Sequence, residues 1–154
     1  MLTDEERNEI RDIADHAPMK SAAAIDVLKA VQRRHGHVSD EDLRDAAALL
    51  DMSPDQLDGV STFYSLIFRR PVGRHVILVC DSISCWVLRS KGLFEALIGR
   101  LGIRPGETTP DGRFTLLPAA CLVACYHAPV VMVDADLHLD VSPEKLEGIL
   151  DAYK

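Results

Sequence analysis

Cys80 and Cys85, followed after a long gap by Cys121 and Cys125, are the only cysteines in this chain. The first pair reads C-x4-C and the second C-x3-C. Two short thiolate pairs suit a [2Fe–2S] cluster, in which each iron takes two bridging sulfides and two cysteines. Cys80 with Cys85 and Cys121 with Cys125 is then the natural division. Backbone N–H groups of residues 81–84 and 122–124 would point at sulfur, and such bonds help to set the reduction potential. Asp81 beside the first thiolate adds negative charge, so a low-potential one-electron carrier is expected, on the order of −400 mV as in plant-type clusters. The same four thiolates would serve a structural zinc ion, for which C-x4-C is at the wide end of the usual spacing. Local oxidation to a disulfide is the third chemistry, although a dithiol oxidoreductase prefers C-x-x-C, which this chain lacks. Spacing alone leaves cluster, zinc and thiol chemistry open.

The cysteines need strands and loops to bring them together. Residues 75–79 (HVILV) form a short β-branched run, read as a buried strand that ends at Cys80. Residues 86–101 carry Leu93, Phe94, Leu97, Ile98 and Leu101 on a helical face. After a turn-rich loop ending in Asp111-Gly112, strands are expected over 113–117, 130–133 and 137–141, and Ser142-Pro143-Glu144 opens a last helix. The order β-α-β-β-β-α suits a small sheet flanked by helices, with both thiol pairs at strand ends.

Residues 1–70 read as helical throughout, and the change of style at Pro71-Val72-Gly73 marks a boundary between 1–70 and 71–154. Thr3 with Glu6 writes a capping box, Gly36 a helix stop, Ser39 a second cap and Ser53-Pro54-Asp55-Gln56 a third start. Leu57, Val60, Tyr64 and Ile67 are assigned to the fourth helix, and Phe63 and Tyr64 are read as core or interface packing rather than as an electron relay.

Net charge is −7, with the larger acidic excess before Pro71, which argues against nucleic acid as a partner. No apolar run is long enough to span a bilayer, and MLTDEERNEI is too acidic for a signal peptide, so direct membrane insertion is not expected and a cytoplasmic location is. In that reducing compartment paired cysteines are more often metal or redox groups than structural disulfides. No G-x-G-x-x-G or P-loop is present, so no site for NADH, FAD or ATP is expected on this chain, nor any catalytic residue of its own.

Longer stretches carry a resemblance. Residues 59–65 (GVSTFYS), 71–75 (PVGRH), Cys80-x4-Cys85, 111–118 (DGRFTLLP) and Cys121-x3-Cys125-x3-Pro129 resemble the small iron–sulfur E subunits of bacterial NADH:quinone oxidoreductase, the NuoE-like family of complex I. The resemblance spans nearly the full length. It implies an α/β chain in which an N-terminal helical bundle precedes a thioredoxin-like [2Fe–2S] ferredoxin domain, with Cys80, Cys85, Cys121 and Cys125 as the cluster ligands. It further implies electron transfer from the FMN of a NuoF-like partner flavoprotein that binds NADH, and a further iron–sulfur subunit beside it. The assembly would lie on the cytoplasmic side of the inner membrane. Related subunits serve NAD-linked hydrogenases and formate dehydrogenases. One position departs from the pattern: Val123 stands where the family commonly has glycine, so loop geometry is expected to differ and Val123→Gly to shift the potential without loss of iron.

Other residues have plainer readings. Trp86 is expected to shield the site from water. Asp134, Asp136, His138 and Asp140 read as an exposed strand face rather than a metal face. Arg69, Arg70 and Arg74 read as a basic, solvated turn.

Overall fold

Polar caps start the helices of the first part of the chain. Thr3 Oγ1 accepts from the Glu6 N–H at 3.3 Å while the Glu6 carboxylate takes the Thr3 N–H at 2.8 Å, and α1 (Asp4–Asp15) begins there. Ser53 and Gln56 repeat the exchange at 3.2 and 3.0 Å to open α4 (Pro54–Phe63). Between them lie α2 (Ala24–His35), closed by Gly36 at φ 77°, and α3 (Asp40–Leu49), capped by Ser39. The computed structural model describes residues 1–88 and 90–154, and it divides the chain into two compact units, Met1–Pro71 and Val72–Lys154.

The first unit closes around Ile10, Val27, Leu28, Val38, Leu50 and Leu57, with Ala46 and Ala47 buried among them. His35 forms its polar centre. Nδ1 lies 2.9 Å from Asp42 Oδ2 and Nε2 lies 2.8 Å from Glu6 Oε1, so both ring nitrogens face carboxylates and the ring is held as an imidazolium. Hydrogen bonding to Asp42 leads in raising His35 above its ordinary value, against burial and with help from Glu6. Burial pushes Asp42 up, but the Ser39 hydroxyl and His35 outweigh it and hold the acid low. The Thr3 N–H leads in holding Glu6 low. Arg69 is a structural pin rather than a solvated turn: it donates to Asp58 at 2.8 Å, Asp40 at 2.7 Å and the Val38 carbonyl.

The fourth helix is shorter than its apolar pattern. It ends at Phe63, Tyr64 turns to ψ 108°, and Ile67 reaches the core from the segment beyond. Ser61 and Thr62 hydroxyls bond back to the Asp58 carbonyl at 2.9 Å, the local competition that weakens a helix end. Phe63 is exposed and meets Tyr64 edge-on, so neither residue belongs to the core.

In the second unit β1 (His75–Cys80) is central. It runs parallel to β2 (Phe114–Ala119) and antiparallel to β3 (Val131–Val133), which pairs with β4 (Asp136–His138); the order is β2-β1-β3-β4. The expected long helix is two pieces, α5 (Ile83–Val87) and α6 (Ser90–Leu101), and position 89 within that expectation lies outside the described residues. The last helix, α7 (Leu146–Ala152), begins about a turn later than its proline signal. Ile77, Val79, Leu93, Leu97, Leu116, Val133 and Leu146 make the core between sheet and helices. Among the described residues no helix is long and apolar enough to cross a membrane.

Candidate metal centre

Strand register brings the two thiol pairs to one end of the sheet. Because β1 and β2 are parallel, their carboxyl ends lie side by side, and Cys80 stands opposite Ala119, two residues before Cys121. The Asp81 N–H donates to the Ala119 carbonyl at 2.8 Å, and the Cys80 N–H to the Val130 carbonyl at 3.2 Å. The chain after β1, the chain after β2 and the entry to β3 therefore meet around Cys80. Only Cys80 sits at a strand end proper. Cys85 lies within α5, and Cys125 opens a 3-10 turn, Cys125–His127.

All four cysteines are free thiols, but the pairs differ in depth. Cys80 and Cys85 are 3% and 1% exposed and pack with Val130, Leu122, Ala124 and Ala128. Cys121 and Cys125 face outward. Among the described residues no three or more His, Cys, Asp or Glu side chains are grouped so as to hold a metal ion. Burial alone pushes both inner thiols up. At Cys80 the hydroxyl and N–H of Ser82, the Leu122 N–H and the Cys85 thiol outweigh burial, and the group falls below its ordinary value. At Cys85 burial wins, reinforced by Cys80, and the thiol is pushed up.

Of the amides expected at sulfur, that of Val123 reaches Cys121 Sγ at 3.3 Å, whereas that of Asp81 donates to the Ala119 carbonyl instead. Valine was expected to resist positive φ, yet Val123 holds φ 59°. Two contributors escaped the sequence reading: the Ser82 hydroxyl, 3.5 Å from Cys80 Sγ, and Val130, which packs on both inner thiols and takes the Cys80 N–H on its carbonyl. Ser82 was within reach as a hydroxyl two residues after a thiol. Val130 is remote in sequence and gave no signal.

Trp86 does not shield the inner thiols. It is 60% exposed, while Val130, Leu122, Ala124 and Ala128 cover them. Ile83, Val87 and Leu88 beside it are exposed too, as is Tyr126 in the second loop. Trp86, Asp81, Lys91 and Phe94 line a cleft of about 350 Å³ next to α5. Another cleft, about 500 Å³ and lined by Arg100, Asp111 and Arg113 among others, includes no thiol. The hairpin acids are engaged in local bonds: Asp134 with His75 at 2.7 Å, Asp136 with Tyr153 at 2.8 Å and Asp140 with His127 at 3.0 Å. Burial and Asp136 push the Tyr153 hydroxyl up to about 12.

The model of the family described as thioredoxin-like [2Fe-2S] ferredoxin matches residues 10–154. The chain belongs to this family. Of the three chemistries that spacing left open, membership selects an iron–sulfur cofactor. The E subunit of NADH-quinone oxidoreductase from Escherichia coli strain K12 is 44% identical to this family member over 153 residues, 99% of this chain and 92% of that protein. The protein of the same name from Pseudomonas aeruginosa is 42% identical, again over 99% of this chain and 92% of that one. Among solved structures, an NAD+-reducing [NiFe]-hydrogenase in the air-oxidized state superposes with a TM-score of 0.71 at 18% identity, over 82% of this chain and 22% of that chain, which is a likeness of fold.

Proposed function

We propose that this chain is the electron-transfer subunit of an NADH-oxidising module, with Cys80 and Cys85 on one iron of a [2Fe–2S] cluster and Cys121 and Cys125 on the other. The observation that supports the ligand assignment is the parallel register, which sets Cys80 opposite Ala119, two residues before Cys121. The donor set fits such a group. It offers four free thiols, one sequence pair buried and the other exposed, with the Val123 N–H on Cys121 Sγ and the Ser82 hydroxyl 3.5 Å from Cys80 Sγ.

When bound, the cluster supplies storage of one electron at a time, which a two-electron donor reaches through a flavin. The chain's own residues hold and tune it. Val130, Leu122, Ala124 and Ala128 keep water from the inner sulfurs, and the N–H groups stabilise the added negative charge. Cys121 and Cys125 present the other pair at the surface, where an electron arrives or leaves.

The donor in this reading is the FMN of a partner flavoprotein that also binds NADH, with a further iron–sulfur subunit beyond it, on the cytoplasmic side of the membrane. Identity of 44% to the E subunit of a quinone-linked enzyme, over nearly the whole chain, supports the quinone-linked assembly. The equivalent place in an NAD-linked hydrogenase or formate dehydrogenase is the alternative. Aerobically purified chain should be red-brown, contain iron and sulfide in equal amounts and give a rhombic EPR signal only on reduction. Cys85→Ser should abolish or recast the optical spectrum. Colourless protein holding zinc, or a spectrum indifferent to that substitution, overturns the assignment.

A further inference from the structure

Among the described residues four other than glycine hold positive φ, and three of them are aspartates, whose short polar side chains tolerate the left-handed region. The fourth is Val123, at φ 59°. A β-branched residue there is a true outlier, and such strain persists only where its surroundings impose it. The side chain does not repay the cost: it is 88% exposed. What the conformation achieves lies in the backbone. The Val123 N–H reaches Cys121 Sγ at 3.3 Å. The strained residue thus itself carries the amide that addresses the sulfur two positions before it.

We propose that Val123 is a positioning residue: its left-handed backbone holds its own amide on Cys121 of the outer thiol pair, and so sets both the reduction potential and the lifetime of the bound cluster. The proposal rests on the ligand assignment above. An N–H donated to a thiolate favours the more negative, reduced state and raises the potential. Strain acts on lifetime in the other direction. Whenever the loop opens, residue 123 is free to return to negative φ, so opening is easier than in an unstrained loop. Since valine already occupies the conformation that glycine would permit, Val123→Gly is expected to change lifetime and leave the potential near its native value. That replaces the shift anticipated from sequence.

The test uses the full chain with its cluster, after iron and sulfide have been measured. Their absence sinks the ligand assignment and, with it, this proposal. Given a loaded chain, exchange of the Val123 amide for an ester removes the N–H and keeps the side chain. The expected result is a tenfold fall in the reduced-to-oxidised ratio at a fixed potential, equivalent to a midpoint lower by about 59 mV. Val123→Gly should keep the native midpoint and lengthen survival of the visible chromophore against an iron chelator about fivefold. Val123→Ile, the conservative variant, should match the native chain in both readouts. A native midpoint in the ester chain overturns the proposal, as does a glycine variant whose chromophore survives no longer than the native one. Should the ester chain fail to retain iron, the lifetime of Val123→Gly decides alone.

Discussion

In the helical unit a single imidazolium, His35, is bonded to Glu6 and Asp42, which in turn take bonds from Thr3 and Ser39, so the polar groups there are satisfied among themselves. At the thiol end of the second unit the opposite holds. Cys121 and Cys125 face outward, Val123 is strained, and Ile83, Trp86, Val87, Leu88 and Tyr126 leave apolar surface uncovered. Both regions contain buried ionisable groups, but in the first they bond to one another and in the second they are the thiols proposed above as cluster ligands. The difference teaches where each region's substitutions should be felt: in folding for the first, in cofactor retention and potential for the second.

His35→Ala is the largest way to break that contrast. It leaves two carboxylates that are barely exposed without their cation. The cost should be about 3 kcal/mol, the low end for a broken buried pair because the imidazole keeps 27% of its side-chain surface. Urea unfolding of the full chain measures it, and hydrogen exchange should place the loss in α1, α2 and α3 while the visible spectrum stays native. A changed spectrum would mean that the two regions are not independent. The pH profile carries the same signature. Stability from His35 is fully present below its unfolded value of 6.5 and is lost as pH rises through the higher folded value. Stability from Glu6 and Asp42 is present above their unfolded values of 4.5 and 3.8 and is lost as pH falls through the lower folded ones. The native helical unit should be most stable between about pH 4.5 and 6.5, and His35→Ala should lose the fall on the alkaline side.

Gly73→Ala sharpens the contrast from the other side. An added Cβ would meet the backbone of Arg113 and Phe114 at 3.0 Å, and backbone cannot move aside as a flexible side chain does. A loss of about 2 kcal/mol is expected, read by urea unfolding, with exchange loosened at β1 and β2. That substitution is at the end of β1 away from Cys80, so the potential should not move. Ser53→Ala is the smallest test: removing the cap hydroxyl should cost about 1 kcal/mol and expose the first amides of α4 to exchange.

Much of this was legible in the chain. The caps at Thr3, Ser39 and Ser53 and the glycine stop at Gly36 fall where expected, because capping is a contest between a side chain and its own neighbours within three or four residues. The β-branched run that ends at Cys80 was legible for the same reason, since alternation and burial of a short strand are written in consecutive positions. Boundaries that depend on more distant partners were not. The fourth helix stops before its apolar pattern does, α5 separates from α6, and β4 is shorter than its run of residues. Nothing local distinguishes an apolar residue that extends a helix from one, such as Ile67, that reaches the same core from a turn.

The residues themselves determined that the chain carries four thiols in two pairs, which chemistries those thiols permit, and where helices begin. Tertiary structure alone decided that the first pair is buried and the second exposed, that Val130 packs on the buried pair, and that Val123 bends into the left-handed region to reach a sulfur. The physical reason is range. Donor type and cap chemistry belong to single residues and their near neighbours. Depth, register and strain arise only when strands distant in sequence align and exclude water from one side of a loop.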